Sequence, residues 1–374
     1  MRAIQTFLPY PRHTEIKRIF VNAKPEAAWE TARHFDAAEI PWVKMLFGIR
    51  TLPEWVFENK EPEPISVGVD EVTKSGSGFR LLAEIPGREV VVGSAGQFWH
   101  LNIPFKNVAP EDFAQFNEPG WGKLAWAIAV EPYRDGSTVC LELRTTATDE
   151  RSWKNLSHYY NVIGIGSKLI RYSALKHLEA TLGKMKLPDT DTMTLPGDEI
   201  IAETKYSITQ ETLIEAPPSI VWRYLMQLGC DRAGWYSIDL LDNGGKPSVD
   251  RIVEEWTDRQ PGDRLSATPS GDSFFEVYQV STEKHFVIGG ESEKAHGLLS
   301  PFKMTWAFVL EPVGEDATRL LVRAKMKSSP SWAEWLAGRV IYPPVHGLME
   351  GVQLRTIKNI AERDAQVREE YAMV

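Results

Sequence analysis

Polar side chains in the second half of this 374-residue sequence are the first candidates for chemistry. Some follow the first predicted helix of that half and others begin its last predicted helix: Asp231, Arg232, Tyr236 and Asp239, then Tyr342 and His346. In one shared cavity, a buried Arg or Tyr would hydrogen-bond a ligand carbonyl and stabilise its developing enolate, while His346 or Asp231 moves a proton. That chemistry would be cyclisation or dehydration. We assign catalytic roles to Tyr236, His346 and Asp231, and treat the other residues as ligand contacts.

The first half offers a comparable set. Arg144 lies on a late predicted strand, Asp149 follows that strand, and Tyr159 stands beside His158 near the start of a long predicted helix. In the functional interpretation Arg144, Asp149 and Tyr159 contact a ligand. In the structural interpretation an Arg–Asp pair or a Tyr hydroxyl satisfies buried backbone groups. Both interpretations stay open for every residue named so far.

The sequence lacks the common motifs for binding a cofactor or a metal. There is no phosphate-binding loop, no zinc-protease His-Glu-x-x-His pattern and no Gly-x-Ser-x-Gly elbow. The eight histidines show no metal-ligand spacing. Asp239, Asp242 and Asp250 lack the ligand positions of an EF-hand and are typical of a solvated turn. The sequence therefore predicts no cofactor and no metal site.

The elements that must position these residues occur twice, because the sequence contains an internal repeat. A β-type segment, an Ala-Pro step and a Trp-centred helix form Phe20 to Trp29, and the same order recurs at Leu213 to Trp222. Further along, Leu124 to Pro132 aligns with Met304 to Pro312. The first copy holds more residues between its first helix and its late strands.

Each copy has one predicted order of elements. A strand comes first, then a short helix, a run of strands that ends in a hairpin, and a long helix whose apolar residues fall three and four apart. This order predicts an α+β fold in which a curved antiparallel sheet wraps around the long C-terminal helix and encloses an apolar interior. The predicted domains are residues 1–182 and 206–374. Residues 183–205, with little periodicity, form the predicted linker.

Composition limits the partners of the chain. Lys and Arg number 42 against 51 Asp and Glu, so the net charge is −9, and no basic block occurs. That balance argues against a nucleic-acid partner. No apolar run approaches the roughly 18 residues of a membrane span, and no apolar signal region follows Met1. We therefore predict a cytoplasmic protein without a transmembrane segment.

Several motifs resemble one known family. In the second copy the motifs are Gln227 to Asp239, Asp250 to Ile252, Pro261 to Arg264 and Thr305 to Pro312. In the first copy they are Val92-Gly93, Phe98-Trp99, Glu118 to Gly120, Glu142 to Arg144 and Tyr159 to Gly164. They are similar to the SRPBCC superfamily, which includes START-like, polyketide cyclase/dehydrase and lipid-transport proteins; the first copy resembles a more divergent branch. The resemblance implies two tandem helix-grip domains, each with a cavity for hydrophobic small molecules. Trp99 and Trp235 lie within these motifs and are further predicted ligand contacts.

Three hypotheses for function follow. The first is binding or carriage of a hydrophobic small molecule, such as a lipid, a polyketide or a related aromatic compound, in an internal cavity. The second is a cofactor-free enzyme of the cyclase or dehydratase type. The third is a protein-interaction module that uses an exposed patch of Trp332, Trp335 and Leu336. The sequence does not identify the ligand, the functional copy or the oligomeric state.

Overall fold

The computed structural model describes residues 2–43, 68–74, 76–204, 206–292, 302–328 and 342–371. The chain divides into two compact units, Met1–Lys186 and Leu187–Ala372. The predicted linker, residues 183–205, spans this division.

The first unit combines one antiparallel sheet with helices. Its helices are α1 (Ala3–Phe7), α2 (Pro25–Arg33), α3 (Val69–Val72) and α4 (Glu150–Leu182). Its strands are β1 (His13–Val21), β2 (Arg80–Ile85), β3 (Glu89–Gly96), β4 (Phe105–Lys106), β5 (Gly122–Tyr133) and β6 (Gly136–Ala147). The strand order is β1-β6-β5-β3-β2, and β4 pairs with β3.

Local sequence explains where these elements begin and end. Proline starts α2, where its fixed φ and missing N–H suit the first helical turn. Strands β5 and β6 form a hairpin with Tyr133 opposite Gly136, and Arg134 in the turn has a left-handed φ of 51°. The long helix α4 follows an N-cap at Asp149 and ends at Gly183, whose φ of 79° a glycine adopts without strain.

Both faces of the first sheet are covered. On one face, Val139 and Leu141 of β6 pack with Leu175 and Leu178 of α4. On the other face, α1 and the connection between β4 and β5 pack against β3 and β5 in a second cluster that includes Phe113. Alternate residues of β6 therefore face α4 on one side, and Glu142 and Arg144 face the covered opposite side.

The second unit repeats the arrangement. Its helices are α5 (Pro218–Met226), α6 (Asp239–Asp242) and α7 (Tyr342–Tyr371). Its strands are β7 (Tyr206–Ile214), β8 (Arg264–Ser266), β9 (Phe274–Ser281), β10 (His285–Ser292), β11 (Phe302–Val313) and β12 (Ala317–Ser328), in the order β7-β12-β11-β10-β9-β8. One core joins Trp222 of α5, Phe308 and Val322 of the sheet, and Ile357 and Ile360 of α7.

The residues that precede β7 pack on the opposite face of this sheet. The Arg323 guanidinium donates to the Met193 carbonyl at 2.7 Å and to the Asp198 carboxylate at 2.6 Å. Leu195 and Ile201 are buried. Much of the predicted linker is therefore held against the second sheet.

The predicted fold class is confirmed. Each unit is an antiparallel sheet against which a short helix and a long C-terminal helix pack, which is the tandem helix-grip arrangement. Among the residues with described positions, no helix has the length and apolarity to cross a membrane. Cys140 is buried, Cys230 is partly exposed, and neither forms a disulfide in the described part of the chain.

Candidate functional site

A cleft in the first unit brings together three residues predicted from the sequence. It has a volume of about 980 Å³, and Trp99, Asp149 and Tyr159 all line it. The other lining residues are Gln97, His100, Pro119, Gly120, Arg151, Ser152, Asn155, His158 and Ile163. Aromatic and aliphatic groups thus face the same space as amides and imidazoles.

Two walls form the cleft. One wall is the N-terminal half of α4, and the other consists of residues 97–100 after β3 and residues 119–120 before β5. The Gln97 amide donates to the Gly120 carbonyl at 3.1 Å, which ties the two loops of the second wall together. The loop that carries Trp99 is therefore held to residues 119–120.

Asp149 joins the walls. Its carboxylate accepts from the Ser152 N–H at 2.9 Å and the Ser152 hydroxyl at 2.7 Å, and from the Gly120 N–H at 2.6 Å. These donors, the Ser152 N–H first, lower the pKa of Asp149 to about 2. The side chain is an N-cap that also anchors a loop, so its oxygens are already occupied by the protein.

His158 has a defined tautomer on the α4 wall. Its Nδ1 lies 2.8 Å from the Lys154 carbonyl oxygen. Because a carbonyl oxygen only accepts, Nδ1 carries the proton of the neutral ring and Nε2 is left as an acceptor. In its neutral form, this residue of the cleft lining therefore has a proton-accepting nitrogen.

Arg144 lies away from this cleft. It is buried on the sheet face opposite α4, where its Nε donates to the Glu142 carboxylate at 2.6 Å and its Nη1 donates to the Leu8 carbonyl at 3.3 Å. Arg2 also pairs with Glu142 at 3.2 Å. The ligand role predicted for Arg144 has no geometric support, because the residue is part of an ion network under α1.

In the second unit, three predicted residues make structural hydrogen bonds. Asp231 accepts from Arg259 at 2.8 Å and from the Ser266 N–H at 2.8 Å. Arg232 donates to the Trp256 carbonyl at 2.6 Å and pairs with Asp258 at 3.0 Å. Asp239 accepts from the Ser248 hydroxyl at 2.6 Å. These contacts fix the loops between α5 and β8, as the structural interpretation expects.

Tyr236 and Trp235 lie in the interior of the second unit. The Tyr236 hydroxyl accepts from the Gln227 amide at 2.9 Å, and burial raises the pKa of Tyr236. The Trp235 indole stacks on Trp306 with ring centres 5.7 Å apart. Tyr342 and His346 begin α7, and their side chains lie outside the described part of the structure.

Sequence reasoning missed a buried carboxyl group beside these indoles. Glu350 on α7 is 1% exposed, and the Trp306 Nε1–H donates to its Oε1 at 3.3 Å. Burial raises the pKa of Glu350 to about 7, although hydrogen bonds from Trp306 and Gln210 act in the opposite direction. Gln353, one turn on, donates to the Trp235 carbonyl at 2.8 Å.

The helical spacing of the apolar residues in α7 could have predicted that Glu350 is buried. Glu350 precedes Leu354, Ile357 and Ile360 at the spacing of the buried face of α7. A polar residue in register with an apolar stripe is a candidate for a buried function. The same test finds no signal for Gln97, His100 or Asn155 of the cleft, which lie on loops or on an exposed helix face.

A larger depression, of about 1380 Å³, lies on the second unit. It is lined by residues of β8, β9, β10 and β11, including Phe274, Tyr278 and Lys303. It contains none of the residues predicted from the sequence. Trp332, Trp335 and Leu336, the predicted interaction patch, lie outside the described residues.

Comparison with known proteins gives likeness to solved structures only. No family model matches the chain, and no curated protein matches it. The di-domain ARO/CYC BexL from the BE-7585A biosynthetic pathway is 13% identical at a TM-score of 0.25, over 94% of this chain and 98% of that one. The di-domain ARO/CYC StfQ from the steffimycin biosynthetic pathway is 13% identical at a TM-score of 0.28, over 94% and 99%.

A likeness to smaller proteins covers part of the chain. The hypothetical protein jhp0584 from Helicobacter pylori is 14% identical at a TM-score of 0.33, over 47% of this chain and 99% of that one. Protein MLL2253 from Mesorhizobium loti is 17% identical at a TM-score of 0.27, over 42% and 97%. At these scores the likenesses carry no conclusion about activity, which has to come from the site itself.

Proposed function

We propose that the protein binds a hydrophobic small molecule with aromatic character in the cleft of the first unit. The observation that carries the proposal is the cleft of about 980 Å³ that Trp99, Tyr159 and Ile163 share with polar side chains. Ligand sites in proteins have volumes of roughly 300 to 1,000 Å³ and combine an apolar lining with a few orienting polar groups. The cleft has both properties.

The lining is suited to a flat ligand. Trp99 and Tyr159 present rings, which stack with other rings in offset or edge-to-face geometry. Ile163 adds aliphatic surface and is 39% exposed, so a ligand in the cleft would bury apolar area on this side chain. Gln97 and the Asp149 anchor hold the walls in place without a ligand, so little ordering opposes binding.

Membership of the SRPBCC superfamily belongs to the same proposal. It is supported by the repeated order of elements and by a long helix packed on an antiparallel sheet in each unit. The proposal assigns ligand binding to the first copy, because the cleft there is lined by Trp99, Asp149 and Tyr159, whereas the depression on the second copy contains none of the residues predicted from the sequence. A cytoplasmic location and the absence of a nucleic-acid partner stay predictions.

A cofactor-free cyclase or dehydratase is the second candidate function, and His158 favours it. Its Nε2 is the basic nitrogen of a neutral ring whose tautomer the Lys154 carbonyl fixes. Such a nitrogen accepts a proton from a carbon next to a ligand carbonyl, and the same nitrogen returns the proton to a leaving hydroxyl in a dehydration. Replacement by Gln would abolish turnover of a bound substrate and leave affinity within a few-fold.

Titration of the full chain with the neutral fluorescent dye Nile red tests the binding proposal. Two isoleucines on α4 form a matched pair, because Ile163 lines the cleft and Ile165 is 71% exposed outside it. We expect Ile163→Ala to weaken dye binding by about five- to tenfold and Ile165→Ala to leave it unchanged. Tyr159→Ala and Tyr172→Ala form a second pair with the same expectation, since Tyr172 is exposed on the same helix.

Equal effects within each pair would refute the assignment of the cleft. The unfolding midpoint of each variant serves as the control for folding. Extraction of the purified protein, followed by mass spectrometry, would then identify a compound that co-purifies with wild type and is lost from Ile163→Ala.

A further inference from the structure

We infer that the natural ligand of the cleft carries a carboxylate, which Arg151 binds. The inference rests on the proposed function and adds the chemical class of the ligand. It comes from the balance of charges around the cleft, where acidic groups have partners inside the protein and a guanidinium has none among the described residues.

The acidic side chains near the cleft are already engaged. Glu118 pairs with Lys106 at 2.6 Å, and Glu150 pairs with Arg12. The hydrogen bond from Arg12 is the main reason that the pKa of Glu150 is lowered. Asp149, the one carboxylate on the lining, accepts from Ser152 and Gly120. A ligand therefore meets no unpaired carboxylate in the described part of the cleft.

The basic groups of the lining are not engaged in this way. Within the described ranges, no carboxylate lies within ion-pair distance of the Arg151 guanidinium or of the His100 and His158 rings. Arg151 is exposed at the first turn of a 33-residue helix, whose N-terminal end adds a positive potential. Arg151 thus carries a positive charge on the described lining that has no ion-pair partner there, although the chain as a whole has a net charge of −9.

Arginine selects a particular group. A guanidinium presents parallel N–H donors that match the two oxygens of a carboxylate. With Trp99 and Tyr159 on the lining, the ligand that fits is an aromatic acid whose ring system lies against the aromatic side chains and whose carboxylate reaches Arg151. The ionised Asp149 repels an anionic ligand, so the carboxylate of the acid must bind Arg151 on the side away from Asp149.

Two isosteric probes test the inference: anthracene carboxylic acid and anthracene carboxamide, each used to displace Nile red from the full chain. The two molecules share size and ring system and differ in charge. We expect the acid to displace the dye at about tenfold lower concentration than the amide. Rising salt concentration should reduce the advantage of the acid and leave the amide unchanged.

Variants of Arg151 assign the effect. Arg151→Gln should lower the affinity for the acid about tenfold and leave the affinity for the amide within about twofold. Arg151→Lys keeps the positive charge but loses the parallel N–H donors of the guanidinium, so part of the preference for the acid over the amide should remain. Lys154→Gln is the matched control, since Lys154 is exposed on the same helix and does not line the cleft.

The outcomes separate the two proposals. Equal displacement by acid and amide, or an acid preference that survives in Arg151→Gln, would overturn the inference and leave binding in the cleft intact. Failure of Nile red and of both anthracenes to bind wild type would overturn the proposed function, and the inference with it.

Discussion

The indole nitrogen of Trp306 lies 3.3 Å from the carboxyl oxygen of Glu350, and both groups belong to the interior of the second unit. Glu350 is 1% exposed and lies near the stacked pair of Trp235 and Trp306. An acid buried in aromatic surroundings keeps its proton at a higher pH than it does in water. Its pKa of about 7, raised from 4.5, links this contact to the stability of the unit.

The first prediction concerns pH. The folded protein retains the Glu350 proton up to about pH 7, whereas the unfolded chain releases it near pH 4.5. Below the unfolded pKa Glu350 is protonated in both states, so its contribution to the stability of the folded state is fully present. As pH rises through this window the folded state holds more protons than the unfolded state, so stability falls. The full shift corresponds to about 3 kcal/mol.

Urea unfolding of the full chain at about pH 5 and about pH 8, followed by tryptophan fluorescence, measures this effect. We expect Glu350→Gln to be more stable than wild type at the higher pH and to lose most of the pH dependence. Glu276→Gln is the control, because Glu276 is an exposed carboxyl on β9 of the same unit. A wild-type slope retained in Glu350→Gln would show that another group titrates.

The second prediction concerns Asp149. Asp149→Ala removes the N-cap of α4 and the anchor of Gly120, so we expect a lower unfolding midpoint and several-fold weaker Nile red binding. Asp149→Asn keeps an acceptor and should lose less of both. In wild type the contribution of the cap is present above the unfolded pKa of 3.8 and disappears as pH falls toward about 2. Loss of binding in Asp149→Ala without any change in midpoint would instead mean that Asp149 contacts the ligand.

The third prediction separates stability from binding at Arg144. The guanidinium is 2% exposed and pairs with the buried Glu142. Arg144→Met leaves that carboxylate with fewer partners, and we expect a loss of about 3 to 5 kcal/mol in the free energy of unfolding. Because Arg144 lies on the face opposite α4, the folded fraction should bind Nile red like wild type. A specific loss of dye binding, with stability unchanged, would restore the ligand role predicted from the sequence.

The burial of Arg144 on the sheet face opposite α4 is a feature that the sequence alone did not reveal. Neighbouring residues of a strand face opposite sides of the sheet, so a one-residue difference decides the environment. Val139 and Leu141 face α4, whereas Arg144 falls on the other side. Apolar and charged residues alternate along β6 from Leu141 to Arg144, but because both sides of the first sheet are covered, this alternation does not show that the charged face is buried under α1.

The fold itself was predictable because its signals are local or repeated. The hairpin turns, the helix that begins at Pro25 and the apolar period of α4 all follow from short stretches of sequence. Asp149 and Tyr159, which the sequence places after a late strand and near the start of a long helix, line one cleft together with Trp99, which was predicted only from the family resemblance. By contrast, Asp231 and Arg232 find partners that lie 28 and 26 residues away along the chain, which no local pattern reveals.

The central claim is that a ligand occupies the cleft beside Trp99, and fluorine NMR of the full chain labelled with fluorotryptophan tests it most directly. The chain has 13 tryptophans, and Trp99→Phe identifies the resonance of Trp99 by its loss. Addition of Nile red should shift the Trp99 resonance and leave those of Trp235 and Trp306, assigned in the same way, in place. Shifts confined to Trp235 and Trp306 would place the ligand in the second unit and contradict the account.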